Sequence, residues 1–533
     1  MEGLRGKGKS SRLYKKVRAW HKWVSIVLTF FLLMFAVSGV VLNHRSWFSS
    51  VDVSRDLLPS EYRYQNWNMA SIRGSLQISP EEILVYGNIG VWKTDGDFSL
   101  FTDFNKGFPA GIDNRKISRI IPAENGDLLA GTYFGLYLYS PDAANWQKVT
   151  LPVEEERIVD LIRHDTKVYI LTRSSLLVID SGVSPSEARI INIPPAEDDD
   201  QKSGLFKTLW IIHSGEIYGL GGKIFVDLIA LVVIFLTVTG LILWLFPGWI
   251  RKRKKKLSSV NSIARTLKFS LKWHNRLGYY LAVFLVITAI TGMFLRPPLL
   301  IPIANARVGK IPFSILDQPN PWYDKLRAII YDDHNNRFIL STSEGFYYSG
   351  DDFGSALRKF EIQPPVSVMG INVLESLGHG GFLVGSFSGL FSWFPEQDYV
   401  VDVLSGQEYL ATGERGKPFS ENSVAGLVWD GEGRPYIFDY VTGVKPFRHE
   451  NPFPSMQADV VAKSPISLWN LALEVHTGRI YFPLIRDFYI LIAPLAGLAL
   501  LFVVISGFWM YWVGFRKKTG RKNLVDTTGE ILS

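Results

Sequence analysis

The stretch Trp20–His44, WHKWVSIVLTFFLLMFAVSGVVLNH, decides how the rest of the chain is read. Its core, Val24 to Leu42, carries no charge. A helix crossing a hydrocarbon core needs about 20 apolar residues. Three more segments qualify: Leu228 to Phe246 (LIALVVIFLTVTGLILWLF), Leu277 to Leu295 (LGYYLAVFLVITAITGMFL) and Phe488 to Phe515. A secretory signal peptide is the competing reading of the first run. The run is long for an h-region and leads into Asn43-His44-Arg45 with no small-x-small site, so it reads as a retained anchor.

Outward from these runs the basic residues cluster. Arg12, Lys15, Lys16, Arg18 and Lys22 precede the first span. Arg251 to Lys256, Lys268, Lys272 and Arg276 lie between the second and third. Arg516, Lys517, Lys518, Arg521 and Lys522 follow the fourth. Such clusters stay cytoplasmic. The expected layout is a cytoplasmic N-terminus (1–23), a span (24–43), a periplasmic β-rich segment (44–222), a span (223–247), a basic cytoplasmic loop (248–275), a span (276–296), a second periplasmic β-rich segment (297–486), a span (487–515) and a cytoplasmic tail (516–533). The lipid bilayer is the first expected partner.

Composition agrees with this mixture. Of 533 residues, 47% are hydrophobic and 20% charged, too apolar for an ordinary soluble chain and too polar for a pure membrane bundle. The net charge of +7 is topogenic and implies no nucleic-acid partner. The absence of cysteine rules out disulfides, iron–sulfur clusters, thiolate–zinc sites and covalent haem attachment.

The chain also repeats itself. Trp20-His21 enters the first span and Trp273-His274 the third; in each case a small pair, Ser38-Gly39 or Thr291-Gly292, ends with its Gly 18 residues after the His. His213-Ser-Gly-Glu-Ile-Tyr218 precedes the second span and His476-Thr-Gly-Arg-Ile-Tyr481 the fourth, with later pairs Thr239-Gly240 and Ser506-Gly507. Small residues at matching depths let helices pack closely. The expected fold class is a four-helix membrane bundle, a duplicated two-helix unit, carrying a β-rich, propeller-like periplasmic domain.

Within the outer segments one shape recurs: strand, small residue, Gly turn, strand. It is clearest in LLAGTYFGLYLYS (128–140) and FLVGSFSGLFSWF (382–394), with weaker copies at 83–92, 167–180, 337–349 and 434–443. About three units per segment leave two arrangements open, one shared six- or seven-bladed propeller or two separate β-domains.

Five of the nine histidines stand at span ends: His21 and His274 on the inner side, His44, His213 and His476 on the outer. His164, His334, His379 and His449 scatter without ligand-like spacing. A lone His at a helix end is ordinarily an interfacial side chain. Here His21 with His274, and His213 with His476, hold equivalent repeat positions, so a two-fold axis brings each pair face to face. Facing imidazoles inside a bundle are what bis-His ligation of haem b requires. Two haems are expected, on opposite faces, with Gly215 and Gly478 letting backbone approach a flat macrocycle. His44, whose repeat counterpart is Pro297, competes for the outer face; it follows His21 by 23 residues, about 34 Å of helix. Trp244, Trp509, Tyr511, Trp512, Tyr279 and Tyr280 could bridge such a gap, or form an interfacial belt.

Taken together, Lys16–His21 (K-V-x-x-W-H), Ser38–His44 (S-G-V-V-L-N-H), H-[ST]-G-x-I-Y at His213 and His476, and Trp273–Gly278 (W-H-x-x-L-G) resemble the PepSY-associated transmembrane helix family. The resemblance implies a bacterial inner-membrane protein similar to haem-bearing ferric-siderophore reductases. It implies a cytoplasmic or quinol electron donor and a ferric siderophore or periplasmic partner as acceptor. His21, His274, His213, His476 and His44 carry over as haem-iron ligand candidates. The outer segments are much longer than small PepSY-type modules. Two functions follow: a transmembrane oxidoreductase, or a membrane-anchored propeller that binds a ligand or partner without catalysis. The spans hold few ionisable groups, which disfavours a transporter. The acidic runs Glu154–Glu156 and Glu197–Asp200 read as solvated loops.

Overall fold

The computed structural model describes residues 2–529 except 124–125, 155, 181, 257–258, 351, 367–369 and 410–420, with side chains from 12 to 514. Glu155 of the first acidic run, residues 257–258 of the basic loop and 530–533 of the tail lie outside this description. The chain divides into two compact units, one of residues 1–45, 202–317 and 469–533, the other of 46–201 and 318–468.

Nine α-helices are described: α1 (Glu2–Asn43), α2 (Leu205–Ser214), α3 (Gly219–Lys255), α4 (Asn261–Tyr280), α5 (Ala282–Phe294), α6 (Ala458–Ala462), α7 (Leu468–His476), α8 (Phe482–Ile485) and α9 (Ile492–Gly529). All except α6 belong to the first unit. Three stretches, Arg12–Asn43, Glu216–Lys255 and Arg479–Gly514, are long and apolar enough to cross a membrane. Their outward faces are apolar: Val27, Phe30, Leu231 and Leu498 are each more than half exposed. A water-facing surface would not tolerate that; lipid would.

The third expected span is not straight. The axes of α4 and α5 meet at 65° across Leu281. The 13 residues of α5 reach about 20 Å, short of a hydrocarbon core. The preceding helix α4 carries Arg265, Lys268, Lys272 and Arg276, which a bilayer interior disfavours. The apolar run 277–295 therefore straddles a bend.

Besides a two-stranded pairing of Asp52–Val53 with Ile466–Ser467, the second unit holds, among the described residues, six small antiparallel sheets, five of four strands and one of three, each a meander of consecutive strands. They begin at Gly74, Ile117, Ile158, Leu326, Ile371 and Val424. Each of the six sequence copies falls on the second and third strands of a different sheet. The first strand of each sheet packs beside the first strand of the next, and that of the sixth returns to the first. Both outer segments thus build one unit. Ile329 N–H donates to Asp160 Oδ2 at 3.0 Å, tying the fourth sheet to the third. Leu427 N–H donates to Arg73 O at 3.1 Å, tying the sixth to the start of the first. Between sheets lie apolar layers; Trp92, Trp146 and Trp393 are fully buried in three of them.

Candidate functional site

Both candidate sites lie in the first unit, and one local device builds each half of them. The Nδ1 of His21 is 2.9 Å from Ser506 Oγ. That of His274 is 2.9 Å from Thr239 Oγ1. His476 Nδ1 is 2.9 Å from Ser38 Oγ. His213 Nδ1 is 3.2 Å from Thr291 Oγ1 and 3.1 Å from Thr288 O. In all four cases the hydroxyl donates its own proton to a carbonyl of its helix, Val503, Phe235, Met34 and Ile287 in turn, and so accepts from Nδ1; for His213 the Thr288 carbonyl accepts as well.

Nδ1 therefore carries the proton and Nε2 presents its lone pair. This second-shell arrangement is how a metal-ligating imidazole is oriented. Among the described residues none of the four Nε2 atoms has a hydrogen-bond partner. The glycine after each hydroxyl completes the seat. A Cβ built on Gly292 would lie 2.6 Å from His213 Cε1, and one on Gly507 would lie 3.2 Å from His21 Cε1. On Gly39 and Gly240 the corresponding distances, to His476 and His274, are 3.4 and 3.5 Å. The small pairs were expected to bring helices together; what they bring close is a helix and an imidazole.

Every seat is supplied by the other repeat. α1 and α9 exchange His21 for Ser506-Gly507 at one end, and Ser38-Gly39 receives His476 at the other. Likewise Thr239-Gly240 of α3 receives His274 of α4, and Thr291-Gly292 of α5 receives His213 of α2. The outer pair then meets: the ring centroids of His213 and His476 are 6.2 Å apart at 61°.

The fifth candidate is engaged elsewhere. His44 is buried, its Nε2 at Asp227 Oδ2, while Asn43 Nδ2 bridges Asp227 Oδ1 and Ser214 O, both at 3.1 Å. The outer level is therefore set by Ser38 rather than His44. Ser38 follows His21 by 17 residues on one unbroken helix, about 25 Å, in place of the 34 Å expected. Gly215 and Gly478 also differ from expectation. With φ of 79° and 76° they are the left-handed caps ending α2 and α7. A Cβ on Gly215 would lie 2.1 Å from Gly222 O, so the glycine serves the turn into α3 and not a ligand.

The aromatic residues divide. Tyr279 stacks on Phe508 at 4.8 Å and meets Tyr511 at 4.6 Å. Trp244, Trp512 and Tyr280 are exposed on the bundle surface, as belt residues are. Of the other histidines, His164 stacks on Tyr331 and His449 donates to Pro435 O, both within the β unit.

The paired donors fit haem. Two metal–imidazole bonds of about 2 Å, with the ring centroid set back from each nitrogen, span roughly 6 Å between centroids. The His213–His476 pair has that separation. Among the described residues no three His, Asp or Glu side chains converge, so a bare ion would find only two ligands, whereas a porphyrin brings its own equatorial four.

Apolar spanning helices with paired, cross-seated histidines define an integral membrane protein of duplicated architecture. The PepSY-associated TM region model matches residues 3–246 and 248–514, and the chain belongs to that family. No curated protein matches. Among solved structures, an extracellular domain ascribed to a hybrid two-component system of B. thetaiotaomicron is 12% identical at a TM-score of 0.34; the alignment covers 74% of this chain and 34% of that one. This chain thus spans about a third of that protein's length. A Bacteroides thetaiotaomicron protein of unknown function is 12% identical at 0.35, covering 75% and 74%. PorZ of Porphyromonas gingivalis is 10% identical at 0.32, covering 71% and 38%. At TM-scores this low the three carry no argument about this chain.

Proposed function

We propose that this protein is a b-type haem oxidoreductase of the bacterial inner membrane, passing electrons to a periplasmic acceptor of the Fe(III)-siderophore class. Both termini are cytoplasmic, as the basic clusters require. A bound haem b supplies one-electron chemistry. His21 with His274, and His213 with His476, would hold two such groups, one near each membrane face. The Ser and Thr hydroxyls behind each Nδ1 hold the imidazoles in the ligating tautomer. One electron delivered at the outer face reduces one Fe(III) chelate to Fe(II), and a cytoplasmic or quinol donor is oxidised in turn.

The observation that carries this reading is the fourfold recurrence of one seat, His Nδ1 on [ST]-Gly, with Nε2 left open each time. A structural histidine has no reason to be set identically at four places. The test is an optical spectrum of the detergent-purified, haem-replete protein with and without dithionite. A Soret band and a pyridine haemochrome are expected; their absence overturns the reading.

The six sheets are read here as the blades of one propeller that receives the acceptor. That ring also favours a second reading, in which the propeller recognises a ligand or partner and the bundle only anchors it. Full function after replacing the helices with a lipid anchor would decide for the second.

A further inference from the structure

The basic residues of α4 are arranged, not merely numerous. The helix carries Arg265, Lys268, Lys272 and Arg276 and no carboxylate. Spacings of three and four residues put all four on one helical face. Each is exposed, and among the described residues none forms an ion pair. The opposite face does the packing: Ser270 is buried, and His274 Nδ1 meets Thr239 of α3 at 2.9 Å.

Orienting a span requires basic residues on one side of the membrane, but not on one face of a helix. Like charges three and four residues apart repel and weaken a helix. A stripe of this kind, with no carboxylate beside it, is stabilised by an anion from outside the chain. The flank of the stripe says which anion. Phe269 is 54% exposed and Trp273 37%, and Lys272 Nζ and Arg276 Cζ each lie 5.8 Å from the Trp273 ring centroid. Open water disfavours exposed aromatic rings of this size, whereas the headgroup region of a bilayer accommodates rings and cations together.

The bend at Leu281 places the helix where such headgroups are. Set 65° apart, α4 and α5 cannot both follow the membrane normal. The member fit for hydrocarbon is α5, which has no charged residue and packs against α9. That leaves α4 at the surface. In sequence it follows the exposed cations Arg251 to Lys256 at the end of α3, a second source of attraction for the same leaflet.

We propose that α4 is a membrane-surface helix whose Arg265–Lys268–Lys272–Arg276 face binds the phosphates of anionic phospholipids, with Phe269 and Trp273 set among the headgroups. The bound lipid relieves the repulsion along the stripe and backs the helix that presents His274 to Thr239. The proposal does not depend on the haem reading.

The full-length protein and two quadruple variants are purified in a neutral detergent. One variant is R265Q/K268Q/K272Q/R276Q on α4; the other, R251Q/K252Q/K254Q/K255Q, removes the same charge from the end of α3. Each is titrated with phosphatidylglycerol, with phosphatidylcholine and with glycerophosphoglycerol, the headgroup without its tails. Bound molecules per chain are counted by native mass spectrometry. A basic residue near an anionic surface is worth about fivefold in binding. The α4 variant is therefore expected to bind phosphatidylglycerol at least about tenfold more weakly than wild type, and the α3-end variant less than about threefold more weakly. K268R/K272R binds as wild type does, and phosphatidylcholine and glycerophosphoglycerol bind weakly throughout. Near-UV circular dichroism checks folding; if the α4 variant is unfolded, K268Q/K272Q takes its place, with a loss of about tenfold expected. Undiminished phosphatidylglycerol binding by the α4 variant overturns the proposal. So does an equal loss in both quadruple variants, which would make the preference one of bulk charge. Glycerophosphoglycerol binding as tightly as phosphatidylglycerol also overturns it, marking a site for a soluble anion instead.

Discussion

His213 and His476 face each other with ring centroids 6.2 Å apart, and each is held from behind by a helix of the opposite repeat. His213 rests on Thr291-Gly292 and His476 on Ser38-Gly39. Neither repeat can therefore build half a site alone. Duplication supplies both the facing partner and the seat, which accounts for the motif being kept in four copies rather than two.

Replacing one histidine at each level separates the two sites. His213→Ala is expected to remove the outer haem signal and leave the inner one, and His21→Ala to do the reverse. Pyridine haemochrome per chain should fall by half in each. Loss of both signals from either variant would show that the sites are not independent.

The four glycines are not equivalent. A methyl on Gly292 would stand 2.6 Å from His213 Cε1, whereas on Gly240 it would meet His274 Cε1 at 3.5 Å, an ordinary contact. Gly292→Ala must push the imidazole aside and is expected to weaken outer-site retention at least tenfold, as disturbed outer-shell geometry does. Gly240→Ala leaves the inner site close to wild type. Equal effects would mean that the glycines serve helix packing instead.

His44→Ala is expected to keep both haem signals. It leaves the half-buried Asp227 carboxylate with Asn43 as its remaining partner, at a cost of about 1–3 kcal/mol. A lowered thermal midpoint with unchanged spectra is the predicted pattern. Loss of the outer signal would make His44 a ligand after all.

In the β unit the junction between the sixth sheet and the first is closely packed. A Cβ on Gly426 would lie 2.5 Å from Arg73 Cα and 2.7 Å from Ile72 O, all backbone that cannot step aside. Gly426→Ala is expected to destabilise this unit by about 1–3 kcal/mol. Gly350→Ala, with nothing within 4 Å, should be silent. Thermal melts followed by near-UV circular dichroism distinguish them; a silent Gly426→Ala would mean the ring does not depend on that closure.

The apolar runs, the twice-repeated His and small-Gly spacing and the six strand–turn–strand copies are all local, so the sequence alone marked the helices, the duplication, the β-rich segments and the four paired histidines. Local pattern also explains where it misled. Gly215 and Gly478 follow a histidine in both repeats, yet their positive φ serves the turns that end α2 and α7. The bend at Leu281 falls inside a continuous apolar run, and only the competition between a basic amphipathic helix and a short apolar one places it there.

What the tertiary structure alone decided is partnership. His21 and Ser506 are 485 residues apart, and no spacing rule joins them. An imidazole's tautomer depends on which acceptor lies beside Nδ1. These contacts arise only when helices from both repeats pack together. That is why the sequence could name the histidines, while the fold was needed to show what holds them and that His44 is tied to Asp227.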